Sequence, residues 1–91
     1  LLALTRYSVS FYGEYNIRCN TIVAGAFPNV GSNSYNSPQD ENFVKKLIDK
    51  TALKRTGSLD DLKGVLVLLA SDASSYITGQ SIVVDGGWTI T

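Results

Sequence analysis

Apolar residues recur along this chain with two different periods, and the switches between them predict its elements. Leu1, Leu4, Ser8, Phe11 and Tyr15 fall at three- and four-residue intervals, so a helix from the start to about Tyr12 carries one largely apolar stripe, with Gly13 supplying the stop. From Ile17 to Ala24 the period shortens to two. Ile17, Cys19, Thr21 and Val23 share one face and Arg18, Asn20, Ile22 and Ala24 the other, the pattern of a strand, here expected to be buried on both faces toward its later end.

The segment from Gly25 to Ser37 holds two glycines, one proline, three asparagines and three serines, a composition that favours an exposed, adaptable loop. Ser37-Pro38-Gln39-Asp40 reads as a helix start, with Ser37 as cap and Pro38 at the first helical position. Phe43, Val44, Leu47 and Ile48 supply the apolar face that follows, and the lysines at 45, 46 and 50 a solvated one. A second cap at Ser58-Leu59-Asp60-Asp61 opens a helix whose later part, Val65 to Ala70, is apolar all round. Such a helix needs cover on every side, more than a chain of this size supplies. After a short turn at 71–75, Gln80 to Val84 forms a last strand, ended by Gly86-Gly87.

Strand, crossover helix, strand implies a parallel pair with a right-handed connection. Two parallel strands do not make a stable sheet alone, because such sheets need cover on both faces and neighbours at the side. The 91 residues contain no methionine, and they open on apolar residues with helical spacing. We expect one segment of a larger α/β domain, with the N-terminus a cut end.

Formal net charge is zero, with both signs interspersed, which gives no electrostatic footprint for nucleic acid or an anionic membrane surface. The longest apolar run, Val65 to Ala70, falls far short of the roughly 20 residues that span a bilayer, and no signal segment opens the chain. One cysteine and no histidine leave neither a disulfide nor a thiolate and imidazole metal site to assemble. The expectation is a cytoplasmic chain with no metal, in which Cys19 is a small buried thiol rather than a reactive one.

Three stretches, taken in order, resemble the short-chain dehydrogenase/reductases. Leu4-Thr5-Arg6 leads to Asn16-Ile17-Arg18-Cys19-Asn20, where that family has a helix and then Ile-Arg-Val-Asn. Ala24-Gly25-Ala26-Phe27-Pro28-Asn29 stands where it has Pro-Gly with a threonine a few positions on. Leu69-Ala70-Ser71-Asp72 runs through Thr78-Gly79-Gln80 to Asp85-Gly86-Gly87. The resemblance implies the C-terminal part of a Rossmann-like doubly wound parallel sheet, and an oxidoreductase that interconverts an alcohol and a ketone by hydride transfer with NAD or NADP. It also implies a homotetramer or homodimer, with a small-molecule alcohol or ketone as substrate.

Carried over by position, Ala24, Gly25, Ala26, Phe27 and Asn29 lie beside the nicotinamide, Gly25 allowing close backbone approach and Phe27 offering its main-chain amide. Phe27 and Tyr35 belong to a substrate lid, where Tyr35 reads equally well as surface packing. The chain departs from the family in having Ala24 for proline, which removes a rigid φ, and Asn29 for threonine. The family's acid/base pair is a tyrosine followed four residues later by lysine, and none of the five tyrosines here has that neighbour. The glycine-rich dinucleotide loop is absent too. These residues alone are therefore expected neither to catalyse nor to hold the adenine end of a cofactor. The alternative reading is a non-catalytic assembly or regulatory module that binds a full-length partner.

Overall fold

The computed structural model describes residues 1–27 and 41–90. Three α-helices, α1 (Leu2–Tyr12), α2 (Glu41–Asp49) and α3 (Asp60–Ala70), accompany two strands, β1 (Thr21–Ala24) and β2 (Ser81–Val84). The strands pair side by side in one sheet. The Thr21 N–H donates to the Gln80 carbonyl at 2.8 Å and the Gly25 N–H to the Val84 carbonyl at 2.9 Å, so the partners advance together and the pair is parallel, as the strand, helix, strand order predicts. The Ser37–Asp40 helix start lies outside the described residues.

The chain forms two compact units, Leu1–Val23 with Leu62–Val83, and Ala24–Asp61 with Val84–Thr91. In the first, α1 ends at Tyr12 with Gly13 as its C-cap, as expected. Gly13 keeps right-handed helical angles and a 3₁₀ turn runs over Gly13–Tyr15, so the reversal falls at Asn16, at φ 62°, a conformation asparagine tolerates better than most residues. The expected apolar stripe faces outward: Leu1, Leu4, Phe11 and Tyr15 are each more than half exposed, while Thr5 is the buried residue of this helix, its hydroxyl bonded to that of Thr21.

The strand expected over 17–24 begins only at Thr21, because its first half bonds to a turn instead of a neighbouring strand. The Cys19 N–H donates to Thr78 Oγ1 at 3.1 Å, and the Cys19 carbonyl accepts from the Gly79 N–H at 2.7 Å. Asn20 donates from its amide to the Ile77 carbonyl and accepts from the Gln80 N–H, both at 3.0 Å. Arg18 spreads its guanidinium over three carbonyls, Ile77, Leu69 and Ser71, at 3.0 to 3.2 Å. It thereby satisfies the C-terminal end of α3, where helix carbonyls lack partners, with a cation at the negative end of the dipole.

Burial departs from expectation at two places. Toward its later end β1 is exposed, Val23 and Ala24 both facing solvent. Along α3, only Leu62, Val65 and Leu69 are half-buried, a stripe at i, i+3 and i+7, whereas Leu66 and Val67 are 53% and 67% exposed. Among the described residues no hydrophobic side chain is fully buried. Both results have one cause: parallel strands and an all-round apolar helix need two covered faces, and the described elements cover at most one.

Candidate functional site

The second unit gathers the carboxyl ends of β1 and β2, the segment after α2 and the first turn of α3. In open parallel sheets ligands bind beyond those carboxyl ends. Backbone approaches backbone here with no room for side chains. A Cβ on Gly25 would stand 2.7 Å from Asp85 Cβ and 2.8 Å from its Cα, so the loop leaving β1 lies flush against the end of β2. Gly57 donates its N–H to the Ala26 carbonyl at 2.9 Å, and a Cβ there would overlap the Phe27 ring.

Asp85 is a turn-former, as expected of an aspartate before two glycines. One carboxylate oxygen accepts from the Gly87 N–H at 2.9 Å and the other from the Thr89 N–H at 3.0 Å. Partial burial pushes its carboxyl pKa upward, but these main-chain donors outweigh that and the net direction is down. Gly86 and Gly87 take φ of 64° and 89°, angles only glycine adopts freely. Leu53 donates its N–H to the Gly86 carbonyl at 3.0 Å, which seats the segment after α2 on this turn. Lys50 Nζ lies 5.7 Å from the Trp88 ring centroid.

That segment is held from within by Thr51, only 1% exposed. Its hydroxyl donates to the Ile48 carbonyl at 2.9 Å and accepts the Arg55 N–H at 3.3 Å. The Arg55 guanidinium then grips Asp61 with two nitrogens, at 2.8 and 3.3 Å, and donates to the Thr56 carbonyl at 3.2 Å. Asp61 also accepts the Ser58 N–H at 2.9 Å, the reach-back half of a capping box, while the Ser58 hydroxyl, expected to cap the helix, donates to the same carboxylate at 3.2 Å. The Arg55 bonds and the Ser58 N–H hold the Asp61 carboxyl well below the usual carboxylate range, and Asp61 raises the Arg55 pKa.

Of the expected site residues, Ala24, Gly25, Ala26 and Phe27 lie together at the end of β1; Asn29 and Tyr35 lie outside the described residues. A cavity of about 160 Å³ lined by Phe27, Gly57 and Gly86 is smaller than the several hundred Å³ of a typical small-molecule site. It does not hold a dinucleotide. What the unit offers is main chain: an exposed Gly25 and a loop with its backbone clamped. Among the described residues no cluster of metal-ligating side chains is present. Cys19 is half-buried. No helix of the described residues is long and apolar enough to cross a membrane.

Sequence reasoning missed Arg55 and Gly57. Only the Ser58–Asp61 cap hinted that this stretch is ordered.

The family model described as enoyl-(acyl carrier protein) reductase matches residues 1–89. The chain belongs to the short-chain dehydrogenase/reductase family. A curated relative, the 2-dehydro-3-deoxy-D-gluconate 5-dehydrogenase of Dickeya dadantii, is 34% identical over 88 residues, covering 97% of this chain and 34% of that protein. Among solved short-chain dehydrogenase/reductases, a gluconate 5-dehydrogenase from Burkholderia cenocepacia in complex with NADP and tartrate superposes with a TM-score of 0.86 at 32% identity, covering 99% of this chain and 34% of that one. A short-chain dehydrogenase from Leptospira borgpetersenii with bound NAD⁺ gives a TM-score of 0.83 at 36% identity, covering 98% of this chain and 32% of that one. The architecture is thus part of a Rossmann-like α/β fold, and the chain spans about a third of the length of the relatives it matches.

Proposed function

We propose that this chain is the C-terminal segment of an NAD(P)-dependent short-chain dehydrogenase/reductase that interconverts an alcohol and a ketone. The observation that carries the reading is the loop at Gly25–Phe27, clamped at the carboxyl ends of two parallel strands, in a chain of this family. NAD or NADP, when bound, supplies the site that accepts or gives up hydride. Ala24, Gly25, Ala26 and Phe27 present main chain to the nicotinamide, and Asn29 bonds it from the position of the family's threonine.

The residues beyond Phe27, Tyr35 among them, act with α2 as a lid that excludes water around a small-molecule alcohol or ketone. Their content of asparagine and serine favours a sugar-like or otherwise polar substrate. The proton relay requires a group with a pKa moved toward working pH; in this reading the family's tyrosine, lysine and serine lie in the rest of the protein. The outward apolar faces of α1 and α3 pack against that remainder and against neighbouring subunits of a cytoplasmic homotetramer or homodimer.

The test is dinucleotide titration of the whole protein that carries this chain, with and without Asn29→Ala. Binding of NAD or NADP by the parent, weakened about three- to tenfold in the variant as expected for one lost hydrogen bond, supports the reading. A parent that binds neither dinucleotide overturns it.

A further inference from the structure

Arg55 is a side chain with no assigned part in the site, and its bonds lead straight into the loop. The guanidinium donates to the Thr56 carbonyl at 3.2 Å. That carbonyl belongs to the same peptide group as the Gly57 N–H, which donates to the Ala26 carbonyl at 2.9 Å. The Ala26 carbonyl in turn shares a peptide group with the Phe27 N–H. A trans peptide is planar, with its C=O and N–H on opposite sides, so a bond that fixes the carbonyl also fixes the direction of the amide. Successive hydrogen bonds polarise one another, each accepted bond making the next donor stronger.

The geometry points to Arg55 as a positioning residue for the dinucleotide: through two peptide groups, Thr56–Gly57 and Ala26–Phe27, its cation orients and polarises the Phe27 amide that meets the nicotinamide carboxamide. The inference rests on the function proposed above and adds to it a residue 28 positions downstream of the loop it controls. Three features make the relay rigid. Asp61 holds the guanidinium with two bonds, and Ser58, next to Gly57, is tied to the same carboxylate. Gly57 has no Cβ to push the Phe27 ring away, so the two loops stay within bonding distance. Arg55 itself is exposed, and its loss opens no cavity.

Because only the nicotinamide end meets the relay, the experiment compares two probes on the whole protein: the dinucleotide that the parent binds, and ADP-ribose (or its 2′-phosphate if that dinucleotide is NADP), which lacks nicotinamide. Arg55→Ala should weaken the dinucleotide about three- to tenfold and leave the ADP-ribose affinity unchanged. Arg55→Lys, which keeps the charge but not the fork, should recover part of the loss. Gly57→Ala should weaken the dinucleotide at least as much, and Phe27→Ala added to it should restore part of the binding by removing the ring that the new methyl strikes, a coupling visible only if the two residues act together.

Equal loss for both probes in Arg55→Ala, or dinucleotide affinity unchanged in both Arg55→Ala and Gly57→Ala, overturns the relay while leaving the proposed function standing. A parent that binds ADP-ribose and the dinucleotide equally well overturns it too, since the nicotinamide then adds nothing for the relay to hold. A parent that binds no dinucleotide removes the function itself.

Discussion

The two units of this chain hold their backbones by opposite means. In the first, side chains reach across long stretches of sequence to bond main chain: Arg18 to carbonyls 51, 53 and 59 residues away, Asn20 to Ile77 and Gln80. In the second, glycines stand where strands and loops meet: Gly25 lies against the Asp85 Cα and Cβ, Gly57 against the Phe27 ring and Gly87 against the Ala52 Cβ. A side-chain tether gives a scaffold tolerant of small shifts, because long side chains adjust. A glycine contact fixes the main chain to a fraction of an ångström, which is what a site built from peptide groups needs.

The comparison breaks most visibly at Arg18. Arg18→Ala leaves three carbonyls without their charged donor and uncaps α3, and should cost about 2–4 kcal/mol of stability, read as a lower urea midpoint of the whole protein. The dinucleotide affinity measured well below that midpoint should hold; if it falls instead, the first unit is not mere scaffold. Gly25→Ala tests the other side. The added methyl meets the Asp85 Cβ and Cα, an overpacking that costs about 1–3 kcal/mol, and here, unlike at Arg18, dinucleotide binding should also fall at urea concentrations well below the midpoint.

The smallest effect expected is at the solvent-facing pair. The Asp61 carboxyl has its pKa lowered in the folded state, so its contribution is present above the ordinary carboxylate pKa of about 4 and is lost as pH falls through the folded value. Asp61→Asn should therefore melt slightly below the parent at pH 7. The two should converge in acid; a gap constant with pH would mean the charge is not what matters.

Helices, the last strand and the parallel pairing were legible in the sequence because they rest on periodicity and on connection rules. The start of β1 was not, since Arg18, Cys19 and Asn20 keep a strand-like alternation while their bonds go to a turn some sixty residues later. The end of α1 at Gly13 was legible, but the reversal at Asn16 was not, as Gly13 takes ordinary helical angles and a 3₁₀ turn follows it. In the site, Gly25 announced itself by lying just after a strand. Arg55 did not, because its role runs through the main chain of residues 56 and 57, and no pattern of side chains along a sequence marks a chain of peptide groups.

Strand β1 meets its partner only through residues 80 to 84, and this separation sets a schedule. At synthesis rates of roughly 5–20 residues per second, the 59 additions that lead from Thr21 to Gln80 take about 3 to 12 s. Through that interval this edge of β1 is without its native neighbour, a template for wrong pairing. Residues 80 to 84 thus close a gap that opens at Thr21, and a nascent chain that stalls between the two offers a strand edge to whatever chaperone or neighbour arrives.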